Sequence, residues 1–126
     1  MSLQSPLAKV RGLGSARQGS HHWWMQRLSA LILIPLCLWF VFSILQLMNM
    51  DYAAVRLWMS DPIATVFLVI MLIALYYHAY LGVQVVIEDY IDSEWQKIVS
   101  LLLVKFLAVF SGAIAIYSVL KVSLGT

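Results

Sequence analysis

The sequence predicts an all-α integral membrane protein with three transmembrane helices. Of its 126 residues, 63% are hydrophobic and only 11% are charged, whereas roughly a quarter of the residues in a soluble domain carry charge. Three apolar segments are each long enough to cross a bilayer, which takes about 20 helical residues. We therefore expect one small helical domain surrounded largely by lipid.

Charge and cysteine content exclude other classes of protein. The formal net charge is only +2, and the basic residues gather near the N-terminus instead of forming a stripe, so we expect no nucleic-acid partner. The single cysteine, Cys37, lies within an apolar run. An intrachain disulfide or a cysteine metal cluster is therefore excluded.

The first predicted helix, from Leu28 to about Leu47, carries no charge and contains Pro35, which favours a kink because proline lacks a backbone donor. Residues 1–20 form a basic tail on the inner side of the membrane, and residues 21–126 form the predicted three-helix membrane domain. The tail can also be interpreted as a transit peptide, but we expect it to be retained. A cleaved signal peptide is not expected, because the first apolar run is too long.

The second predicted helix spans about Ile63 to Ile87 and the third about Ile98 to Leu120. The second has no formal charge but contains His78, and Pro62 suits its first turn. The third contains one charge, Lys105, close enough to its start for the side chain to snorkel toward the headgroups. Small residues on the third helix predict close packing against a neighbour: Ala108, Ser111, Gly112 and Ala115.

The link between the first two helices, DYAAVRLWMSDP, predicts a short helix at the membrane surface. Tyr52 and Trp58 stand where an aromatic belt would lie. The same link contains only one basic residue, Arg56.

Basic residues before the first helix predict the orientation of the chain. They are Lys9, Arg11, Arg17 and Arg27. Since they outnumber the basic residues of the first link, the N-terminus is predicted on the cytoplasmic or matrix side and the C-terminus outside. The second link, EDYIDSEWQK, then returns to the inner side, where Arg27, Asp89 and Tyr90 are expected to share a polar pocket.

The stretch HAYLGVQVVIEDY, His78 to Tyr90, places polar groups in an apolar helix. The steps from His78 to Asp89 overshoot three helical turns by only about 20° and rise roughly 16 Å, so both lie on one face. Gly82 and Ala74, one turn either side of His78, are expected to leave room for a flat, bulky group. A deep imidazole suits a haem ligand, and an acid with a phenol suits a proton-handling site. Interhelical hydrogen bonding and interfacial anchoring are the alternative roles.

Two motifs resemble the hydrophobic membrane anchor family of succinate dehydrogenase, respiratory complex II. They are HAYLGVQVVIEDY and SHHWWMQRLSALILIPLCLW, Ser20 to Trp39, and both lie on the expected helices of a three-helix subunit. The family's order of histidine, glycine and Asp-Tyr is intact. The sister anchor subunit, which is the other membrane protein of that complex, has a Ser-x-x-His-Arg-x-Thr-Gly run, where this chain has MQRLS, residues 25–29.

The resemblance implies a role for each of these residues. His78 would be one axial ligand of the iron of haem b, with the opposite histidine supplied by the sister anchor subunit. Tyr90 would donate a hydrogen bond to a ubiquinone carbonyl, and Asp89 would help deliver protons. Arg27 and His21 would lie near the haem propionates and the quinone pocket, with the choice between His21 and its neighbour left open.

The resemblance also implies partners, a location and alternatives. The chain would be an anchor subunit of succinate:ubiquinone oxidoreductase that contributes to the quinone site only. It would dock the sister anchor subunit, the iron–sulfur subunit and the flavoprotein subunit in a bacterial inner membrane or, alternatively, a mitochondrial inner membrane. A fumarate reductase anchor and, in a different class, a small proton-relay or transporter subunit are the alternative functions.

Overall fold

Four α-helices follow one another in the computed structural model, which describes residues 6–7 and 16–125, with side chains from Ser20 onward in the second range. They are α1 (Ala16–Leu47), α2 (Tyr52–Ser60), α3 (Pro62–Tyr90) and α4 (Glu94–Ser123). By length and composition, α1, α3 and α4 could each span a membrane. The prediction of three transmembrane helices is therefore confirmed, whereas their orientation stays a prediction.

The first helix begins well before its apolar run. It starts at Ala16 instead of near Leu28, so the last part of the predicted tail is helical, and it continues through Pro35. Residues 1–5 and 8–15 of the tail, including Lys9 and Arg11, lie outside the described residues. Hydropathy marks the part of a helix that lipid covers. The hydrogen-bonded backbone can continue into polar sequence, because water or capping groups can satisfy the backbone groups at the helix end.

Two aspartates begin the helices on the side of the membrane opposite the N-terminus. The Asp51 carboxylate accepts from the backbone N–H of Ala54 at 2.9 Å, and Asp61 accepts from that of Ala64 at 3.0 Å. Pro62 stands in the first turn of α3, as predicted, because its missing N–H would have no helical partner there. The first link therefore forms the predicted short helix α2, capped at both ends.

The second and third transmembrane helices also extend beyond their apolar runs. α3 ends at Tyr90 and α4 begins at Glu94, so the link between these two helices is only a few residues long. Asp89 and Tyr90 consequently belong to the last turn of α3 and not to a loop.

Helix α3 is the centre of the bundle, since it packs against both α1 and α4. The short helix α2 packs against α3 and α4. The contact of α3 with α1 is built on a small core. The core residues are Leu33, Leu68, Met71 and Ala74. Trp39 of α1 stacks on Trp58 of α2 at 5.7 Å between ring centroids and meets Phe67 of α3 edge-on at 5.2 Å. These contacts hold α2 against the C-terminal end of α1 and the N-terminal end of α3.

On the predicted small-residue face of α4, close packing against α3 occurs mainly at Gly112. Gly112 is buried, and a Cβ there would lie 3.4 Å from Cγ of Tyr76, so the glycine lets the tyrosine ring of α3 lie against the α4 backbone. Ser111 is exposed and donates to the backbone carbonyl of Leu107 in its own helix. Close packing is therefore confirmed at Gly112 and not along the whole face.

Candidate functional site

His78 lies in α3 with its imidazole against α1. Its Nδ1 is 3.0 Å from Oγ of Ser29, and the same hydroxyl donates to the backbone carbonyl of Gln26 at 3.0 Å. A serine hydroxyl has a single hydrogen. When the hydroxyl hydrogen lies on the Gln26 carbonyl, the Ser29 oxygen accepts the Nδ1–H of His78. In that tautomer the ring proton is on Nδ1 and Nε2 keeps a lone pair.

The second ring nitrogen of His78 reaches the surface of the chain. His78 is half-buried, and no described residue forms a hydrogen bond with its Nε2. Among described residues the only buried side-chain nitrogen or oxygen without a partner is Oε1 of Gln26, so Nε2 of His78 is accessible. A histidine held at one nitrogen with the other nitrogen free has the arrangement of a metal ligand.

The two small residues beside His78 have different surroundings. A Cβ added to Gly82 would meet only Nε2 of Gln26, at 3.9 Å, so the packing of the described residues does not itself require glycine and leaves room there. Ala74 is 8% exposed and packs in the core with Leu33. Ala74 also lines, with Ser29 and Tyr77, an apolar cavity of about 430 Å³ between α1 and α3, and the expectation that it leaves room for a bulky group stays a prediction.

The structure separates the two adjacent histidines of α1. Nε2 of His22 donates to the backbone carbonyl of Leu81 at 3.3 Å, which ties α1 to α3. His21 is exposed and forms no hydrogen bond with any described residue. A surface-facing role toward a partner or ligand is therefore open to His21, whereas His22 is engaged inside the chain.

Arg27 is exposed, with its guanidinium 5.2 Å from the centroid of the Trp23 ring. Arg27 comes two residues before Ser29, the hydrogen-bond partner of His78. Its Cα therefore lies about 3 Å along the axis of α1 from that of Ser29. Asp89 lies roughly 16 Å from His78 in the same direction. Helical rise puts the Cα atoms of Arg27 and Asp89 about 13 Å apart along the bundle, and the polar pocket expected to contain both residues stays a prediction.

Asp89 and Tyr90 project from the last turn of α3. Both are exposed, Tyr90 at 81%, and neither forms a hydrogen bond or ion pair with a described residue. The neighbouring Glu88, by contrast, accepts from Nε2 of Gln84 at 3.0 Å. The acid and the phenol are thus accessible to a partner subunit, to water or to a bound small molecule.

Sequence reasoning missed the polar stripe by which α1 meets His78. The stripe consists of three polar residues and one apolar residue that are four, three and four positions apart in α1: His22, Gln26, Ser29 and Leu33. This spacing places them on one helix face. Polar residues that recur at helical spacing at the start of an apolar run are a signal of interhelical hydrogen bonding, and the sequence contains that signal.

Comparison with known proteins identifies the family of the chain. The family model for the succinate dehydrogenase/fumarate reductase transmembrane subunit matches residues 1–112. A relative from Rickettsia bellii, named succinate dehydrogenase hydrophobic membrane anchor subunit, is 36% identical over 108 residues, or 86% of each chain. A protein of the same name from Rickettsia conorii is 39% identical over 90 residues, or 71% of each chain.

A further relative comes from another organism. The Reclinomonas americana protein named succinate dehydrogenase membrane anchor subunit is 30% identical over 96 residues, which cover 74% of this chain and 80% of that protein. No solved structure matches the chain. Since the family model extends over far more than half of the sequence, this protein belongs to the succinate dehydrogenase/fumarate reductase transmembrane subunit family.

Proposed function

We propose that this chain is a membrane anchor subunit of succinate:ubiquinone oxidoreductase that helps to bind haem b and forms part of the ubiquinone reduction site. The observation that carries the proposal is the His78 side chain, held at Nδ1 by Ser29 and accessible at Nε2. It stands within a helix long enough to span a membrane. A polar ring at that depth is costly unless it meets a partner.

The residues around His78 fit a haem. Nε2 of His78 suits one axial position, and the room at Gly82 suits the close approach of a flat macrocycle. Haem b, when bound, would supply a one-electron carrier near the quinone site. The family resemblance implies that the sister anchor subunit would supply a second histidine, and this chain offers no competing one near His78 among the described residues, since His22 is engaged with α3 and His21 lies about 12 Å along α1 from Ser29.

The exposed basic residues of α1 suit the propionate groups of such a haem. Arg27 is paired only with the face of an indole among the described residues, and its guanidinium can donate two parallel hydrogen bonds to a carboxylate. His21 is the second candidate. We choose His21 over His22 for this role because the latter already donates to the α3 backbone.

The last turn of α3 suits quinone reduction. The phenol of Tyr90 can donate a hydrogen bond to a ubiquinone carbonyl oxygen and stabilise the negative charge that develops there. Reduction of a quinone by two electrons consumes two protons, and the Asp89 carboxylate can accept protons from water and pass them on. Both side chains are exposed and without partners among the described residues. The chain therefore supplies part of a quinone site, while succinate is oxidised elsewhere in the complex.

The partners follow from this assignment. The sister anchor subunit would pack beside His78, and the iron–sulfur and flavoprotein subunits would dock at the inner face, where Asp89 and Tyr90 would lie. We assign the complex to a bacterial inner membrane, with the mitochondrial inner membrane as the alternative. The relatives' names favour succinate oxidation over a fumarate reductase anchor.

A proton relay along α3 is not favoured as an alternative function. The face that His78 shares with Asp89 carries Gly82 and Val85 between them, and neither residue can accept or donate a proton from its side chain. The gap of roughly 16 Å is too long for a direct transfer.

The haem assignment is tested by removing the imidazole. His78→Ala in the assembled complex should abolish the low-spin haem b signal in the reduced-minus-oxidised spectrum or convert it to a high-spin signal, because a substitute such as water is a weaker ligand. His22→Ala is the matched control, since it also removes a half-buried, hydrogen-bonded histidine, and it should preserve the spectrum. An unchanged spectrum in His78→Ala would overturn the assignment.

A further inference from the structure

We propose that Ser29 is the positioning residue for His78. Its hydroxyl oxygen accepts the Nδ1–H of the imidazole and thereby selects the tautomer and the ring orientation in which Nε2 can bind iron. The proposal rests on the haem-ligand role of His78 proposed above and adds a residue on another helix that sets how that ligand is held.

The hydrogen bonds around Ser29 allow only one useful arrangement. Ser29 is 5% exposed, so neither water nor lipid competes for its hydroxyl. If the hydroxyl donated to Nδ1 of His78, the ring proton would be on Nε2, which would then have no lone pair for a metal. With the hydroxyl on the Gln26 carbonyl, the Ser29 oxygen accepts the Nδ1–H and Nε2 is able to bind iron.

The bond to Ser29 also affects the electronic character of the ligand. An imidazole that donates its second N–H to an acceptor is a stronger electron donor to the metal. Stronger donation stabilises ferric more than ferrous iron and lowers the reduction potential of the haem. A ring fixed from α1 cannot rotate freely about its bond to the α3 backbone, so the plane of the imidazole is set by this contact.

The chain offers a matched control on the same helix. Ser43 is 7% exposed and donates to the backbone carbonyl of Trp39 at 2.9 Å. Like Ser29 it is a buried serine of α1 bonded to a carbonyl one turn back, but it does not form a hydrogen bond with His78. Ser43→Ala therefore reproduces the structural cost of removing such a hydroxyl without the effect on the ligand.

The experiment uses the assembled complex and two readouts. Optical redox titration gives the midpoint potential of haem b, and electron paramagnetic resonance of the ferric haem gives gmax, which responds to the orientation of the axial ligand planes. Ser29→Ala should raise the potential and shift gmax, and Ser29→Thr, which keeps the hydroxyl, should return both to the wild-type values. Ser43→Ala should leave both unchanged.

A second variant keeps the test decisive if Ser29→Ala does not assemble. Ser29→Cys preserves the size of the side chain but offers a weaker acceptor, so it should shift both readouts in the same direction by a smaller amount. Wild-type values in the assembled Ser29 variants that lack the hydroxyl would overturn the positioning role while leaving His78 as ligand. An unchanged haem spectrum in His78→Ala would instead overturn the proposed function itself, so the two failures are distinguishable.

Discussion

Replacing Tyr90 with phenylalanine separates quinone chemistry from structure. The substitution removes only the phenolic oxygen, and the side chain is 81% exposed without a hydrogen bond to any described residue. The chain itself therefore loses no described contact, and we expect Tyr90→Phe to assemble and to bind haem. Any loss of quinone reductase activity then reports the hydrogen bond from the phenol to the substrate.

The size of that loss can be estimated. A hydrogen bond whose removal leaves a buried acceptor unsatisfied costs about 1 to 3 kcal/mol. Since each 1.36 kcal/mol corresponds to a tenfold change in rate, we expect quinone reduction to slow by roughly 5- to 150-fold if the bond is made in the transition state.

The assay is a ratio of two activities measured on the same assembled complex. Succinate oxidation with a soluble dye takes electrons before the quinone site, whereas ubiquinone reduction requires that site. Tyr90→Phe should lower the ratio of quinone to dye activity at unchanged dye activity. Asp89→Asn should lower it as well and change its pH profile, because the amide cannot accept a proton.

Tyr52→Phe is the control for an exposed phenol. Tyr52 is 76% exposed at the start of α2, on the other side of the membrane bundle from Tyr90, and its substitution should leave the ratio unchanged. A wild-type ratio in both Tyr90→Phe and Asp89→Asn would refute the reasoning, and the two residues would then be interfacial anchors.

Three further predictions concern the fold. Gly112→Ala should be tolerated, because the new methyl meets the tyrosine ring at 3.4 Å, whereas Gly112→Val should destabilise the α3–α4 contact by about 1 to 3 kcal/mol. The complex with the Val variant should therefore unfold at a lower temperature than the wild-type complex, and the complex with the Ala variant should not. Asp61→Ala removes the cap of α3 and should cost about 1 kcal/mol; an unchanged unfolding temperature would contradict this. A reporter inserted near Ser93 should be inside and one fused after Thr126 outside, and the reverse result would overturn the predicted orientation.

Hydropathy alone was enough to predict the three long helices, because a bilayer requires runs of apolar residues whatever the packing between them. Local rules likewise predicted that Pro62 stands in the first turn of α3 and that the first link forms a short helix. The last turn of α3 was predicted less well, since hydropathy stops at Ile87 while backbone hydrogen bonds continue to Tyr90. The alignment of His78 with Asp89 followed from helical periodicity within a single element.

The contacts between helices required the tertiary structure. Which nitrogen of His78 is held depends on Ser29, which is far away in sequence and is brought into reach only by the register of α1 against α3. The same register engages His22 with α3 and leaves His21 exposed, a difference in surroundings that the spacing of two adjacent residues does not reveal. It also puts Ala74 into the core. Register is set by the fit of side chains from two helices, and a pattern within one helix carries no information about that fit.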